Sequence, residues 1–194
     1  MIKRLRCPVL CLAIAAAFAN PRVASASVFT FDSDTAGTVT PFVDTNNGLA
    51  ATFGGQAAVC NVSGFFVSLT GNALIQNLCV TGESGALSIG FSTDIFAITF
   101  DFATASGAAS ATLTAFEGAT LVGSSVFTST IPAGGFNGEG VASFNGVFNN
   151  ITFSSSDVLA IDNVSDVPEP ATSTLLLAPL ALMILVTRRR SLTP

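Results

Sequence analysis

The chain of 194 residues has room for one domain plus targeting segments, and it is unusually apolar, with 49% hydrophobic and only 10% charged residues. Its seven cations lie within residues 3–22 and 188–190, whereas all twelve acids lie between Asp32 and Glu169. Phosphate groups are bound mainly by cations, so this acidic middle excludes nucleic acid and anionic lipid as partners of the central region.

The N-terminus has the pattern of a secretory signal peptide. Basic residues at positions 3, 4 and 6 precede an apolar run over 9–19, and small residues follow at 24–26. We predict a signal peptide over residues 1–26 that is cleaved after Ala26. A membrane anchor is disfavoured, because about ten apolar residues rise only ~15 Å as a helix, half of a bilayer core.

Residues 27–166 alternate short runs of Val, Ile, Phe and Thr with Gly, Asn and Ser, and they lack a long helical periodicity. This pattern predicts an all-β extracytoplasmic domain, a single β-sandwich of the jelly-roll kind. The predicted strands are 28–31, 49–53, 65–69, 87–91, 95–102, 109–116, 121–127, 147–153 and 158–164.

The clearest predicted strand is 95–102, in which strict alternation places four large apolar side chains on one face. These are Phe96, Ile98, Phe100 and Phe102. Four dipeptides that tolerate positive φ predict the turns of the domain. They are Asn47-Gly48, Glu117-Gly118, Asn137-Gly138 and Asn145-Gly146.

Cys60 and Cys79 are the only cysteines left once the signal peptide is removed. An even pair in an oxidising compartment is expected to form a disulfide. Closing a loop of about twenty residues contributes ~3 kcal/mol in the chain-entropy model. Two buried thiols, or a metal-binding pair, remain as alternatives.

The composition of the mature region disfavours catalysis. It contains no His and no Lys, so the usual bases for Ser, Cys and Lys nucleophiles are missing. A pair of carboxylates of the glycosidase type remains conceivable, but the scattered candidates are interpreted as solvated charges. These candidates are Glu83, Asp94, Glu117 and Glu139. We predict that the protein is not an enzyme.

A structural calcium site is a further hypothesis. The stretch Asp32–Gly37, DSDTAG, resembles the opening of a calcium loop but lacks the later ligands, so an EF-hand is rejected. Carbohydrate-binding jelly rolls often hold Ca²⁺ between an early loop and the last strand, which points to Asp32, Asp34 and Asp162 as ligands. The alternative interpretation is a plain acidic turn after the first strand.

The C-terminal residues 167–194 begin with Val167-Pro168-Glu169-Pro170, continue with an uncharged run over 171–187 and end with Arg188, Arg189 and Arg190. An apolar run of seventeen residues reaches ~25 Å as a helix, barely enough to span a membrane. The arginines after it predict that the C-terminus is cytoplasmic and that everything upstream is exported.

This tail resembles the PEP-CTERM sorting signal. The resemblance implies that a membrane-embedded exosortase recognises Pro168, Glu169 and Pro170 and cleaves near them. It also implies an exported protein, anchored transiently in the inner membrane and then released to the cell surface or the extracellular polysaccharide. Pro179 and a Leu-rich rather than Gly-rich helix depart from the usual pattern.

Three functions follow as hypotheses. The first is an exported surface or matrix protein of a biofilm, sorted by an exosortase. The second is a calcium-stabilised, lectin-like carbohydrate-binding module. The third is a secreted glycosidase, which the missing His, Trp and Tyr disfavour.

Overall fold

The computed structural model describes residues 25–79 and 85–166. Within these ranges the chain forms ten strands and a short 3-10 helix at Asn77–Cys79. The strands are β1 (Val28–Phe29), β2 (Phe42–Asn46), β3 (Leu49–Gly55), β4 (Ala57–Asn61), β5 (Asn72–Gln76), β6 (Ala86–Thr104), β7 (Ser110–Glu117), β8 (Thr120–Thr128), β9 (Gly138–Ser155) and β10 (Leu159–Asp166). Every strand pair is antiparallel, which confirms the all-β class.

The sheet has two halves, and the long strands β6 and β9 run through both of them. The first part of β6 pairs with β3, and its second part pairs with β10. β9 follows β6 along both parts and pairs with β7 at its far end. One half therefore contains β2, β3, β7 and β8, and the other contains β1, β4, β5 and β10.

Phenylalanine rings connect the two halves in the core. Phe29 of β1 meets Phe53 of β3 edge to face, with ring centroids 6.0 Å apart. Phe100, in the second part of β6, meets Phe153 of β9 at 4.9 Å. Edge-to-face pairs of this kind add to the apolar burial that holds a domain together. Because residues of both halves share one buried cluster, the sheet is folded into a β-sandwich, as predicted. The finer jelly-roll assignment stays a prediction.

A bulge in β6 overturns part of the predicted alternation. The register with β9 shifts between Gly90 and Ile95 and again between Ile95 and Ala97. A bulge adds one residue to a strand and thereby moves the following side chains to the other face. Ile98, Phe100 and Phe102 are buried as predicted, but Phe96 is 36% exposed, so its predicted core position was wrong.

Two predicted turns are confirmed and two are not. Asn47-Gly48 joins β2 to β3, and Gly118 follows Glu117 between β7 and β8, with positive φ at Asn47, Gly48 and Gly118. Gly138, by contrast, is the first residue of β9, and Asn145-Gly146 lies inside it. The prediction for Asn145-Gly146 was wrong because β9 pairs with β6 on both sides of Gly146, whereas Asn137 ends the loop before β9 and Gly138 already pairs with Thr104.

The strand predictions missed β2, β4 and β5, which are short and contain Asp, Asn or Ala. The predicted strand over 65–69 was also wrong, because those residues form a loop. Within the described ranges, no helix is both long and apolar enough to cross a membrane. Except for Ser25 and Ala26, the predicted signal peptide lies outside the described residues, and so does the predicted sorting tail.

Candidate ligand-binding cleft

The disulfide predicted from the sequence is confirmed. Cys60, near the end of β4, is bonded to Cys79 of the 3-10 helix, and their Cα atoms are 6.0 Å apart. The bridge closes a loop with a sequence separation of 19 residues. It ties the end of β4 to the 3-10 helix that follows β5, and so fixes one wall of the cleft described below.

The loop over 62–71 connects β4 to β5 and lies next to this bridge. Its two ends are joined by the Val62 N–H, which donates to the Gly71 carbonyl at 2.8 Å. Val62 and Leu69 are buried and anchor the loop, whereas Phe65 between them is 69% exposed. Apolar anchors near both ends therefore fix the loop and leave the Phe65 ring exposed to solvent.

Glu139, near the start of β9, fastens this loop. Its Oε1 accepts a hydrogen bond from the Val67 N–H at 2.7 Å, and its Oε2 accepts one from the Ser68 N–H at 2.6 Å. The Ser68 hydroxyl also donates to Oε2. Glu139 is only 7% exposed, so its interpretation as a solvated charge was wrong. A buried carboxylate with several donors forms strong, charge-assisted hydrogen bonds.

The pKa of Glu139 reflects two opposed effects. Burial raises the pKa, whereas the hydrogen bonds from the Ser68 hydroxyl and from the Val67 and Ser68 amides lower it, and the pKa ends below its ordinary value. Hydrogen bonds to the charged form outweigh desolvation here. The loop is consequently held by an ionised carboxylate at neutral pH.

Asn137 provides a second fastening. Its side-chain amide donates to the Phe65 carbonyl at 2.9 Å. Asn61, on the other side, accepts from the Ser63 N–H at 3.2 Å and donates toward Asn72. Each amide keeps hydrogen-bonding groups beyond these contacts, because a primary amide has two donors and one acceptor oxygen.

These elements enclose a cleft of about 310 Å³. Its lining is apolar except for two amides, and none of the described lining residues is charged or carries a hydroxyl. The lining residues are Cys60, Asn61, Val62, Phe65, Phe66, Ile75, Cys79, Ala105, Asn137, Val158 and Ala160. The volume lies at the lower end of the range for small-ligand sites, which are mostly apolar with few polar groups.

The other candidate carboxylates of the sequence do not join this cleft. Asp94 is exposed and accepts a hydrogen bond from the Asn149 amide at 2.9 Å. Glu117 is exposed at the β7–β8 turn, and Glu83 lies outside the described residues. Glu139 therefore has a structural role, because it holds the loop over 62–71 in place. Its hydrogen bonds come from Val67 and Ser68 and not from a second carboxyl group.

None of the three predicted calcium ligands lines the cleft. Asp162 of β10 is 2% exposed, and burial raises its pKa to about 6, with the nearby charges of Asp32 and Asp101 acting in the same direction. Its Oδ1 accepts from the Asn163 N–H at 2.8 Å. Asp101 is the residue directly opposite Asp162 on β6.

Asp32 and Asp34 both contact Asn72, through the Asp32 carboxylate and the Asp34 carbonyl. Asp32 Oδ1 accepts from the Asn72 N–H at 2.9 Å, whereas the pKa of Asp34 is raised by burial and by the charge of Asp44. Across the part of the chain that the structure describes, no three His, Cys, Asp or Glu side chains form a group that fits a metal ion. A calcium site here would need carbonyl or amide oxygens in addition, and it stays a prediction.

Comparison with known proteins gives only distant structural likeness. No protein-family model and no curated protein matches the chain. The K2 cleaved adhesin domain of Lys-gingipain (Kgp) is similar at 12% identity and a TM-score of 0.45, over 74% of this chain and 98% of that chain. TmCBM61 in complex with β-1,4-galactotriose is similar at 13% identity and a TM-score of 0.44, over 72% of this chain and 94% of that chain.

A carbohydrate binding module of family 29 is similar at 15% identity and a TM-score of 0.38, over 73% of this chain and 87% of that chain. Similarity of this kind does not assign a ligand to this chain.

Sequence reasoning missed the cleft. It placed Phe65 in a strand and treated Glu139 as solvated, whereas the structure joins them through the loop over 62–71. The available signal was the tripeptide Asn137-Gly138-Glu139, in which two hydrogen-bonding side chains flank a glycine. Both of those side chains bind the same loop some seventy residues earlier in the chain.

Proposed function

We propose that residues 27–166 form a carbohydrate-binding module that works outside the cell, with the cleft beside the Cys60–Cys79 disulfide as its binding site. The observation that carries this proposal is the exposed ring of Phe65, which lines an uncharged cleft together with the amides of Asn61 and Asn137. An aromatic ring can stack on the C–H face of a sugar, and amides can bind its hydroxyls.

The ligand we propose is a neutral glycan. Eleven of the twelve acids and none of the cations lie in residues 27–166, so an anionic polysaccharide would be repelled. The lining residues of the cleft add no charge that would attract either sign. Binding rather than catalysis is favoured, because the described lining offers no carboxylate or hydroxyl to act on the sugar.

Export and sorting are the second part of the proposal, and they rest on the sequence. The signal-peptide pattern over 1–26 and the PEP-CTERM-like tail over 167–194 support secretion, transient anchoring in the inner membrane and processing by an exosortase. The disulfide supports an oxidising compartment, where such bonds persist. The final location of the protein is then the cell surface or the extracellular matrix, where the cleft can bind polysaccharide.

A glycan array tests the binding function. We expect the wild-type protein to bind a limited set of neutral glycans and Phe65→Ala to lose at least ten-fold in affinity, since stacking on the ring is removed. Phe136→Ala is the matched control, because Phe136 is 89% exposed and does not line the cleft. Equal binding by Phe65→Ala and wild type would refute the cleft as the site, and no bound glycan would refute the function.

Cell fractionation tests the sorting function separately. The wild-type chain is expected outside the inner membrane, with a shortened C-terminus in mass spectra. Glu169→Ala, or loss of the exosortase, is expected to leave the full-length chain in the inner membrane. An identical mature C-terminus with and without the exosortase would contradict sorting, while leaving the binding proposal intact.

A further inference from the structure

Within the described residues, strand β8 has a free hydrogen-bonding edge. It is the last strand in the sheet order, and among the described residues its backbone pairs with β7 alone. The one shift in that pairing, between Ala115 and Phe116 of β7, lies near the β7–β8 turn and leaves Gly123–Thr128 in regular register. An open strand edge is a template for a further strand.

The other edges of the sheet are protected. The segment at 37–40 covers β4, where the Gly37 N–H donates to the Val59 carbonyl at 2.8 Å and the Val59 N–H donates to the Thr38 carbonyl at 2.9 Å. β2 is only five residues long and carries Asp44 at its centre. Short length and charge are the usual protections of an edge. β8 has nine residues and neither a charge nor a proline.

The sequence of β8 is nearly the same in both directions around Ser124. Two antiparallel β8 strands related by a two-fold axis at this residue would place similar side chains opposite one another. The opposed pairs would be Thr120 with Thr128, Leu121 with Phe127, Val122 with Val126, and Gly123 with Ser125. Matching apolar and Thr–Thr pairs stabilise antiparallel strands, and a two-fold interface requires a self-complementary surface.

Charge also favours a second copy at this edge. Two copies of the acidic domain repel each other, so contact is least opposed where the surface is uncharged. Leu121 and Val126 are 60% and 68% exposed and give β8 an apolar surface. The nearest acid along the chain is Glu117 at the turn. In an antiparallel pair the two Glu117 carboxylates lie at opposite ends, at least ~30 Å apart, which is several Debye lengths at physiological ionic strength.

We propose that β8 pairs with β8 of a second copy of this chain and continues the sheet across a two-fold axis. None of the described residues that line the cleft belongs to β8, so both clefts stay free in the pair. Two sites on one particle raise the apparent affinity for a repeating polymer, because the second binding event becomes intramolecular. This inference stands on the edge itself and does not depend on what the cleft binds.

Cysteine crosslinking of the full chain tests the proposed axis. Ser124→Cys places a thiol on the axis, where it faces its own copy, and we expect a band of twice the chain mass on non-reducing gels that disappears with reductant. Val141→Cys is the control, at a valine 60% exposed on β9. The proposal is overturned if Ser124→Cys stays monomeric, if it links to a protein of another mass, or if Val141→Cys dimerises equally.

A charge at the edge gives the second test. Val126→Asp is expected to weaken self-association at least ten-fold in sedimentation experiments, because an acid at an exposed edge opposes strand pairing. Ile131→Asp is the control, because Ile131 is 53% exposed and lies outside β8, and it should associate as wild type does. Both side chains are largely exposed, so the fold should tolerate either change, which melting curves verify. Wild-type association by Val126→Asp would contradict the interface.

Discussion

Glu139 and Asp162 are both buried carboxylates, with 7% and 2% of their surface exposed, yet they respond to burial in opposite ways. Glu139 meets three donors from one loop, and its pKa lies below the ordinary value. Burial raises the pKa of Asp162 to about 6; hydrogen bonds from the Asn163 and Phe31 amides oppose this rise, and the charges of Asp32 and Asp101 add to it. The comparison shows that the partners of a buried acid, and not burial alone, decide whether it stabilises the fold at neutral pH.

The largest effect is expected from removing the Glu139 clamp. Glu139→Ala leaves the Val67 and Ser68 donors without their acceptor, so we expect a loss of about 3 kcal/mol in the free energy of unfolding and a collapse of glycan binding. Urea denaturation measures the first and the glycan array the second. Glu117→Ala, at an exposed turn, is the control and should change stability by less than about 0.5 kcal/mol.

The second effect concerns Asp162 and has the opposite sign. Asp162→Asn removes a buried charge that faces like charges, so we expect the protein to gain on the order of 1 to 3 kcal/mol at pH 7. Asp94→Asn, at an exposed acid, should leave stability within about 0.5 kcal/mol. A loss of stability in Asp162→Asn at pH 7 would show that Asp162 has a partner that compensates its charge.

The pH dependence separates the two acids further. The folded pKa of Asp162 is above its unfolded value of 3.8, so its contribution is fully present below pH 3.8 and is lost as the pH rises through about 6. We expect the urea midpoint of the wild type to fall between pH 4 and 7 by more than that of Asp162→Asn. Parallel curves for the two proteins would contradict the raised pKa.

Glu139 should show the reverse dependence. Its folded pKa is below the ordinary 4.5, so its stabilising contribution is present above pH 4.5 and is lost as the pH falls through the folded value. The Val67 and Ser68 amide resonances should therefore stay unchanged from pH 7 to 5 and move together at lower pH. Movement of these amides near pH 6 would contradict the clamp.

The smallest effect expected is that of calcium. If Asp32, Asp34 and Asp162 bind the ion together with neighbouring oxygens, millimolar Ca²⁺ should raise the melting temperature of the wild type by a few degrees and leave Asp162→Asn unchanged. Identical melting curves in Ca²⁺ and in EDTA would end the calcium hypothesis.

The sequence allowed the fold class, the disulfide and two of the turns to be predicted, because these depend on local composition and on the count of cysteines. The bulge that exposes Phe96 was not predictable, since pairing with β9 sets it. Nor was the clamp at Glu139, because it joins residues some seventy positions apart. The short strand β4, rich in alanine, takes its structure from its neighbour β5 and from the segment at 37–40.

The most direct test of the account is a structure of the protein bound to the neutral glycan that the array selects. We expect a sugar ring stacked on Phe65, with its hydroxyls bound by the amides of Asn61 and Asn137 and with the Glu139 hydrogen bonds to Val67 and Ser68 intact. A glycan bound to another surface, with the cleft beside Cys60–Cys79 vacant, would contradict the central claim.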